Sequence, residues 1–190
     1  MTKTPEHVTG CLILVVGPSG SGKDTLIRAA RDKLGSNSNV LFVRRVITRG
    51  NDTYEDHDPV SDREFTTRED RGEFSLSWSA HGFQYGIPSS IDADIASGKA
   101  AICNVSRTVV DAARSRYRRV LVIEVTAPLA VLALRLSGRA REAAEKQSGR
   151  LRRSQLVPIV SDVRIENTGS VEQGAALLVG AIERAATPFA

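Results

Sequence analysis

Residues 17–25 read Gly-Pro-Ser-Gly-Ser-Gly-Lys-Asp-Thr, after an apolar run at 11–16 and before a helical pattern at 26–34. Strand, glycine-rich turn and helix form the setting in which such a run binds phosphate. Gly17, Gly20 and Gly22, interleaved with Pro18, Ser19 and Ser21, let consecutive backbone N–H groups turn toward one anion. The helix start adds a dipole that also favours negative charge. Lys23 supplies a mobile positive charge for the outer phosphates. Position 24 departs from the pattern. Where a serine or threonine hydroxyl usually ligates magnesium, the chain has Asp24, with Thr25 one place later. A carboxylate also serves a hard cation, which makes Asp24 and Thr25 the candidate metal ligands.

The elements that must hold this loop follow in alternation. Apolar segments at 40–46, 100–105, 120–125 and 163–167 read as strands, and those at 91–97, 108–116, 129–136 and 171–186 as helices. Near-continuous apolar strands alternating with helices predict an α/β fold, a parallel sheet covered on both faces. Two stretches break the rhythm. Residues 49–88 are polar and turn-rich, with β-like pieces at 74–79 and 82–87 and a short helix at 62–71 behind the capping box Ser61-x-x-Glu64. Residues 138–154 carry Arg139, Arg141, Arg150, Arg152 and Arg153 with almost no apolar stripe. In an arbitrary protein such a segment is a solvated helix face; after a phosphate-binding core it reads as a lid.

A chain of 190 residues, 41% hydrophobic and 25% charged, suits one soluble domain. No apolar run is long enough to span a bilayer, and residues 1–10 lack the order of a signal peptide, so the expected location is the cytoplasm. Cys11 and Cys103 fall inside strands and read as buried free thiols. The formal charge of +4 suits nucleic acid or small polyanions. The arginines gather at 44–49 and 135–153 without interleaved aromatics, which favours small phosphorylated ligands over nucleic acid.

With these residues placed, the chain resembles the guanylate kinase branch of the nucleoside monophosphate kinases over nearly its full length. The shared pieces are the Gly-Pro-Ser-Gly loop, Thr48-Arg49, Val60-Ser61 with Phe65, Gly82-Phe-Gln-Tyr85-Gly86, and the Arg-Leu-x-x-Arg pattern from Arg135 to Arg139 with Arg150-Leu151. The resemblance implies a three-layer α/β/α P-loop NTPase sandwich: a core at 11–48, 89–137 and 155–190, an acceptor-binding insert at 49–88 and a lid at 138–154. Three departures stand out. Asp52 replaces a second acceptor-phosphate arginine, Ser77 stands where a carboxylate reads guanine, and Asn104 replaces the acidic residue ending the third strand. Guanine recognition is put in doubt, while phosphate recognition survives.

A smaller family with this fold is more similar still, the ribose 1,5-bisphosphate phosphokinases of phosphonate catabolism. Its loop likewise places aspartate after the lysine. The other agreements are Arg45-x-Ile-Thr-Arg49, Glu55 and His57, Leu76-Ser-Trp78, Tyr85-Gly86, and Asn104-x-Ser-Arg107. The resemblance implies ATP and magnesium, with ribose 1,5-bisphosphate as phosphoryl acceptor. It implies catalytic roles for Lys23, Arg139 and Arg150, and nucleotide contacts from residues 17–25 and Asn167. Acceptor contacts are implied for Arg45, Arg49, Glu55, His57, Tyr85, Asn104 and Arg107. Expected partners are these small molecules, with no nucleic acid and no membrane, in a monomer or homodimer. His57 is equally readable as a surface residue and Trp78 as core. Glu124 is left outside the site. A guanylate kinase and a non-catalytic module of the same fold are the competing readings.

Overall fold

The computed structural model describes residues 10–50, 56–137 and 160–187. Strand β1 (Cys11–Val16) is six apolar residues, all buried. It lies at the centre of a five-stranded sheet with β2 (Val40–Phe42), β7 (Ala100–Asn104), β8 (Val120–Thr126) and β9 (Val163–Glu166), in the order β2-β7-β1-β8-β9. Every pairing in this sheet is parallel.

Both faces of β1 are covered, which is why its sequence lacks polar alternation. Cys11, Ile13 and Val15 join a core with Leu26, Ala30 and Leu34 of α1 (Lys23–Leu34) and Leu178, Ala181 and Ile182 of the last helix, α6 (Val171–Ala186). Leu12, Leu14 and Val16 join a second core with Ile91 and Ile95 of α3 (Ile91–Ala96) and Val110 and Ala113 of α4 (Val110–Arg116). Helix, sheet and helix make the three layers expected of an α/β P-loop NTPase. A further helix, α5 (Leu129–Ser137), follows β8. Helix α6 starts in a complete capping box between Ser170 and Gln173. Both cysteines are buried and free. Among the described residues no helix is long and apolar enough to cross a membrane.

The strand expected over 40–46 is two strands. Its first half, β2, pairs with β7; its second, β3 (Arg45–Ile47), belongs to another sheet ordered β4-β3-β6-β5. The break falls at Arg44, whose guanidinium contacts Asp56 at 3.3 Å and Asp58 at 2.8 Å and also donates to the His57 carbonyl. These partners lie in or beside β4 (His57–Pro59), a strand the sequence did not suggest, and they draw the chain away from the main sheet. In the second sheet β5 (Phe74–Ala80) and β6 (Phe83–Pro88) form a hairpin. It turns at His81 and Gly82, with φ of 57° and 81°, left-handed conformations that suit a tight hairpin turn. Helix α2 (Asp62–Asp70) begins where expected, Ser61 Oγ accepting from the Glu64 N–H. The lid expected at 138–154 lies outside the described residues.

One carboxylate ties the hairpin to the core. Asp92, in the first turn of α3, accepts from Ser75 Oγ at 2.8 Å, Tyr117 Oη at 2.5 Å and Arg116 Nη2 at 2.7 Å. Burial alone would raise its pKa, but donation from Tyr117, Arg116 and Ser75 outweighs it and holds the group below the usual aspartate value of 3.8. Asp92→Ala leaves three donors without their acceptor, an expected loss of about 1–3 kcal/mol in urea unfolding at pH 7. Because the folded pKa is depressed, this contribution is present above pH 3.8 and disappears as the pH falls further. The gap between wild type and variant therefore narrows as the pH is taken progressively below 3.8, and a gap unchanged down to the acid limit of folding would disprove the ionic role.

Candidate active site

The parallel register brings three strand ends together. Val15 of β1 stands beside Asn104 at the end of β7, and Val16 beside Glu124 of β8. The phosphate-binding loop leaves β1 at this edge, and α1 begins directly after it. Gly17 has φ of 148°, and a Cβ there would stand 2.0 Å from the Val125 carbonyl oxygen. Gly22 has φ of 91°, and its Cβ would meet Asn167 Nδ2 at 2.5 Å. The loop is therefore pressed against β8 at one end and Asn167 at the other, closer than any side chain permits. Asn167, buried after β9, donates to the Ser21 carbonyl at 2.8 Å, and Arg135 Nη2 donates to the Asn167 carbonyl at 3.0 Å. These contacts brace the loop from behind.

Lys23 folds back onto its own loop. Its Nζ donates to the carbonyls of Gly17 at 2.8 Å and Pro18 at 3.1 Å. Burial pushes its pKa down to about 8; Asp24 acts in the opposite direction, while the Arg45 and Arg107 guanidiniums add to the depression. Burial also lowers Arg45, against the pull of Asp24 and Tyr85. The site thus concentrates positively charged groups, the electrostatic counterpart of a polyanionic ligand.

Lys23, Asp24, Asn104, Arg45 and Arg107 are brought together at this edge. Asn104 Nδ2 donates to Asp24 Oδ1 at 2.6 Å. Arg107 Nη2 pairs with Glu124 Oε1 at 2.7 Å, both side chains only 13% exposed. The Arg45 guanidinium lies over the Tyr85 ring at 5.5 Å, and Tyr85 stacks on Trp78 at 5.2 Å with the rings 6° from parallel. The tryptophan packs against the second core while supporting a candidate acceptor residue. Arg49 lies over the Phe83 ring at 5.7 Å. His57 is buried, its Nε2 3.2 Å from the Arg49 carbonyl oxygen, where it braces the backbone of a candidate acceptor residue. Ser77 donates to Glu69 at 2.5 Å. Glu55, Arg139 and Arg150 lie outside the described residues.

Two residues at this site have no place in it from the sequence: Glu124 is left outside it, and Arg135 enters only as part of a motif. Glu124 is the one charged residue in an apolar strand, and a buried charge requires a partner, which here is Arg107. Arg135 opens the Arg-Leu-x-x-Arg pattern, but its contact with the loop depends on the closeness of α5 and β9. Among the described residues no group of three or more His, Cys, Asp or Glu side chains is arranged for a metal ion. A magnesium ion carried on a nucleotide needs no such cage, only one or two carboxylates beside the phosphate oxygens. Asp24, exposed and fixed at one oxygen by Asn104, fits that requirement.

No protein-family model matches the chain. Individual relatives do. The ribose 1,5-bisphosphate phosphokinase PhnN of Acidiphilium cryptum is 47% identical over 176 residues, covering 93% of this chain and 94% of the relative. The protein of the same name from Methylobacterium radiotolerans is 44% identical over 170 residues, covering 90% and 96%. The chain belongs to the ribose 1,5-bisphosphate phosphokinase PhnN family. Among solved structures, guanylate kinase from Anaplasma phagocytophilum superposes with a TM-score of 0.63 at 18% identity, covering 93% of this chain and 86% of the other. That likeness establishes that this PhnN-family chain has the guanylate kinase-like fold.

The depressed Lys23 has a measurable consequence. Phosphate beside Nζ favours the ammonium, so binding raises a pKa that starts near 8. ADP binding in EDTA at pH 8.5 should take up protons, seen as a dependence of calorimetric enthalpy on buffer ionisation enthalpy. Affinity should fall as the pH rises above 8. Lys23→Arg, charged throughout this range, should remove both effects; uptake that persists in this variant would place the titrating group elsewhere.

Proposed function

We propose that this chain is an ATP-dependent ribose 1,5-bisphosphate phosphokinase of phosphonate catabolism, forming 5-phospho-α-D-ribose 1-diphosphate and ADP. The observation that carries the reading is the cation cluster of Lys23, Arg45 and Arg107 at the loop edge, in a chain 47% identical to a PhnN phosphokinase. In this reaction an oxygen of the anomeric phosphate attacks the γ-phosphorus while the bond to the β-phosphate oxygen breaks. A phosphate monoester has its second pKa near ~6 and is mostly dianionic at neutral pH. The acceptor is already a nucleophile and needs no general base. What opposes reaction is repulsion between two polyanions, which positive groups and in-line positioning overcome.

The side chains divide accordingly. Backbone N–H groups of residues 19–25 cradle the ATP phosphates, with Gly17 and Pro18 shaping the turn, and Lys23 leaves the Gly17 and Pro18 carbonyls to follow the transferred group. Asn167 serves the nucleotide by holding the Ser21 segment of that cradle. Arg45, Arg49 and Arg107 provide charge for the two acceptor phosphates, with Tyr85 and Asn104 as polar contacts and His57 bracing Arg49. Glu55 belongs to the same acceptor set, and Arg139 and Arg150 are the catalytic arginines of segment 138–154. Asp24 and Thr25 are the residues that would hold magnesium. When bound with ATP, that ion neutralises charge developing on the phosphate oxygens.

ADP release measured with ribose 1,5-bisphosphate, with GMP and with no acceptor tests the acceptor. Turnover should be far faster with the bisphosphate; equal or faster turnover of GMP makes the chain a guanylate kinase, and none with either leaves a binding module. Lys23→Ala should lose ~10²–10³ in kcat, as removal of one transition-state contact commonly does. Its thermal unfolding should stay close to wild type. Full activity in the folded variant would mean that residues 17–25 are not the catalytic loop.

A further inference from the structure

Asp24 and Asn104 touch across 80 residues of sequence, Nδ2 to Oδ1 at 2.6 Å. An ionised carboxylate only accepts, so the nitrogen of the carboxamide must be the atom facing it. In phosphate-binding loops of this kind the metal is usually held by a neutral hydroxyl after the lysine together with a carboxylate from a separate strand segment. Here the charge types are inverted. The carboxylate is on the first turn of α1, and the end of β7, the strand paired directly with β1, carries a neutral amide.

The other carboxylate at these strand ends is already committed. Glu124 is held by Arg107 at 2.7 Å, with Arg164 Nε at 4.0 Å from its second oxygen. Asp24, by contrast, is exposed at the loop edge. A second carboxylate at position 104 would place like charges within hydrogen-bond distance, at a cost that grows in a desolvated cleft. An amide there removes the repulsion and adds a donor. The donor fixes one oxygen of Asp24 and so orients the other.

We infer that these two positions have exchanged roles: Asp24 supplies the single carboxylate facing the nucleotide-borne divalent cation, and Asn104 is its positioning residue. This rests on the phosphoryl-transfer reading of the loop and is independent of which acceptor is used. Asn104 then acts chiefly through Asp24, its amide oxygen remaining available to a sugar hydroxyl.

The test compares ADP affinity in EDTA with ADP affinity in Mn²⁺, by calorimetry and without acceptor or turnover. The ratio of the two isolates the metal-dependent part of binding. Asn104→Ala should leave metal-free ADP affinity unchanged, and Asp24→Ser, which removes a negative charge beside the phosphates, should raise it. Each should reduce the Mn²⁺ enhancement about 10-fold, the lower end of what losing such a partner costs. The exchange variant Asp24→Ser/Asn104→Asp returns the carboxylate to the strand and should recover the enhancement to within about 3-fold of wild type, well above the sum of its single changes. An unaltered ratio in Asn104→Ala would overturn the inference. So would an exchange variant that binds metal-free ADP normally but is no better than Asp24→Ser. If the exchange variant does not fold, Asn104→Ala decides. Wild type that prefers GMP while the Mn²⁺ pattern holds would refute the acceptor assignment and leave this inference standing.

Discussion

Lys23 is the group around which the remaining geometry is organised, because its charge is held under conditions that oppose it. Its ammonium is desolvated and has two guanidiniums in electrostatic range, so its pKa has fallen to about 8. Each pKa unit that a bound phosphate restores is worth about 1.4 kcal/mol and favours phosphate binding. The lysine donates to the Gly17 and Pro18 carbonyls. The loop that offers those carbonyls is fixed by contacts no side chain would allow, at Val125 and at Asn167. A rigid cradle and a mobile cation are complementary parts of one device.

The same excess of positive charge explains how the other polar groups are distributed. Glu124 pairs with Arg107 and orients it in a place where an isolated guanidinium would be costly. Arg45 is buried against Tyr85, which is itself stacked on Trp78. The second sheet therefore reaches the loop through a stack of planar groups rather than through flexible chains. At its far end the sheet is held by Ser75 on Asp92, together with Arg116 and Tyr117. The candidate acceptor residues on this sheet are thus held toward the phosphate-binding loop by packing at one end, while a shared carboxylate ties the sheet to the core at the other.

Much of this was legible in the chain. The loop, its strand, the alternation of elements and the limits of α6 follow from apolar periodicity and glycine spacing, which are local signals. The break of 40–46 into β2 and β3 was not legible, because its cause is the meeting of Arg44 with Asp56 and Asp58, carboxylates that come twelve or more residues later. The strand at His57–Pro59 is three residues long and polar, too short to have a period. In the site, the residue types were visible but their partners were not. Asp24 and Asn104 each departed from pattern; that the two departures touch is a fact of register between β1 and β7. His57 is balanced in the sequence between surface and ligand; its burial beside the Arg49 backbone removes the surface reading.

The central claim is that a site crowded with cations moves a phosphoryl group onto a phosphate oxygen. Phosphorus NMR of the reaction with ATP and ribose 1,5-bisphosphate tests it directly, since the nature of the new bond is read from the spectrum. The account predicts loss of the anomeric monoester signal and the growth of two mutually coupled diphosphate resonances, in step with ADP. Retention of the monoester signal while ATP is consumed to free phosphate, or a new diphosphate only when GMP is supplied, would contradict it.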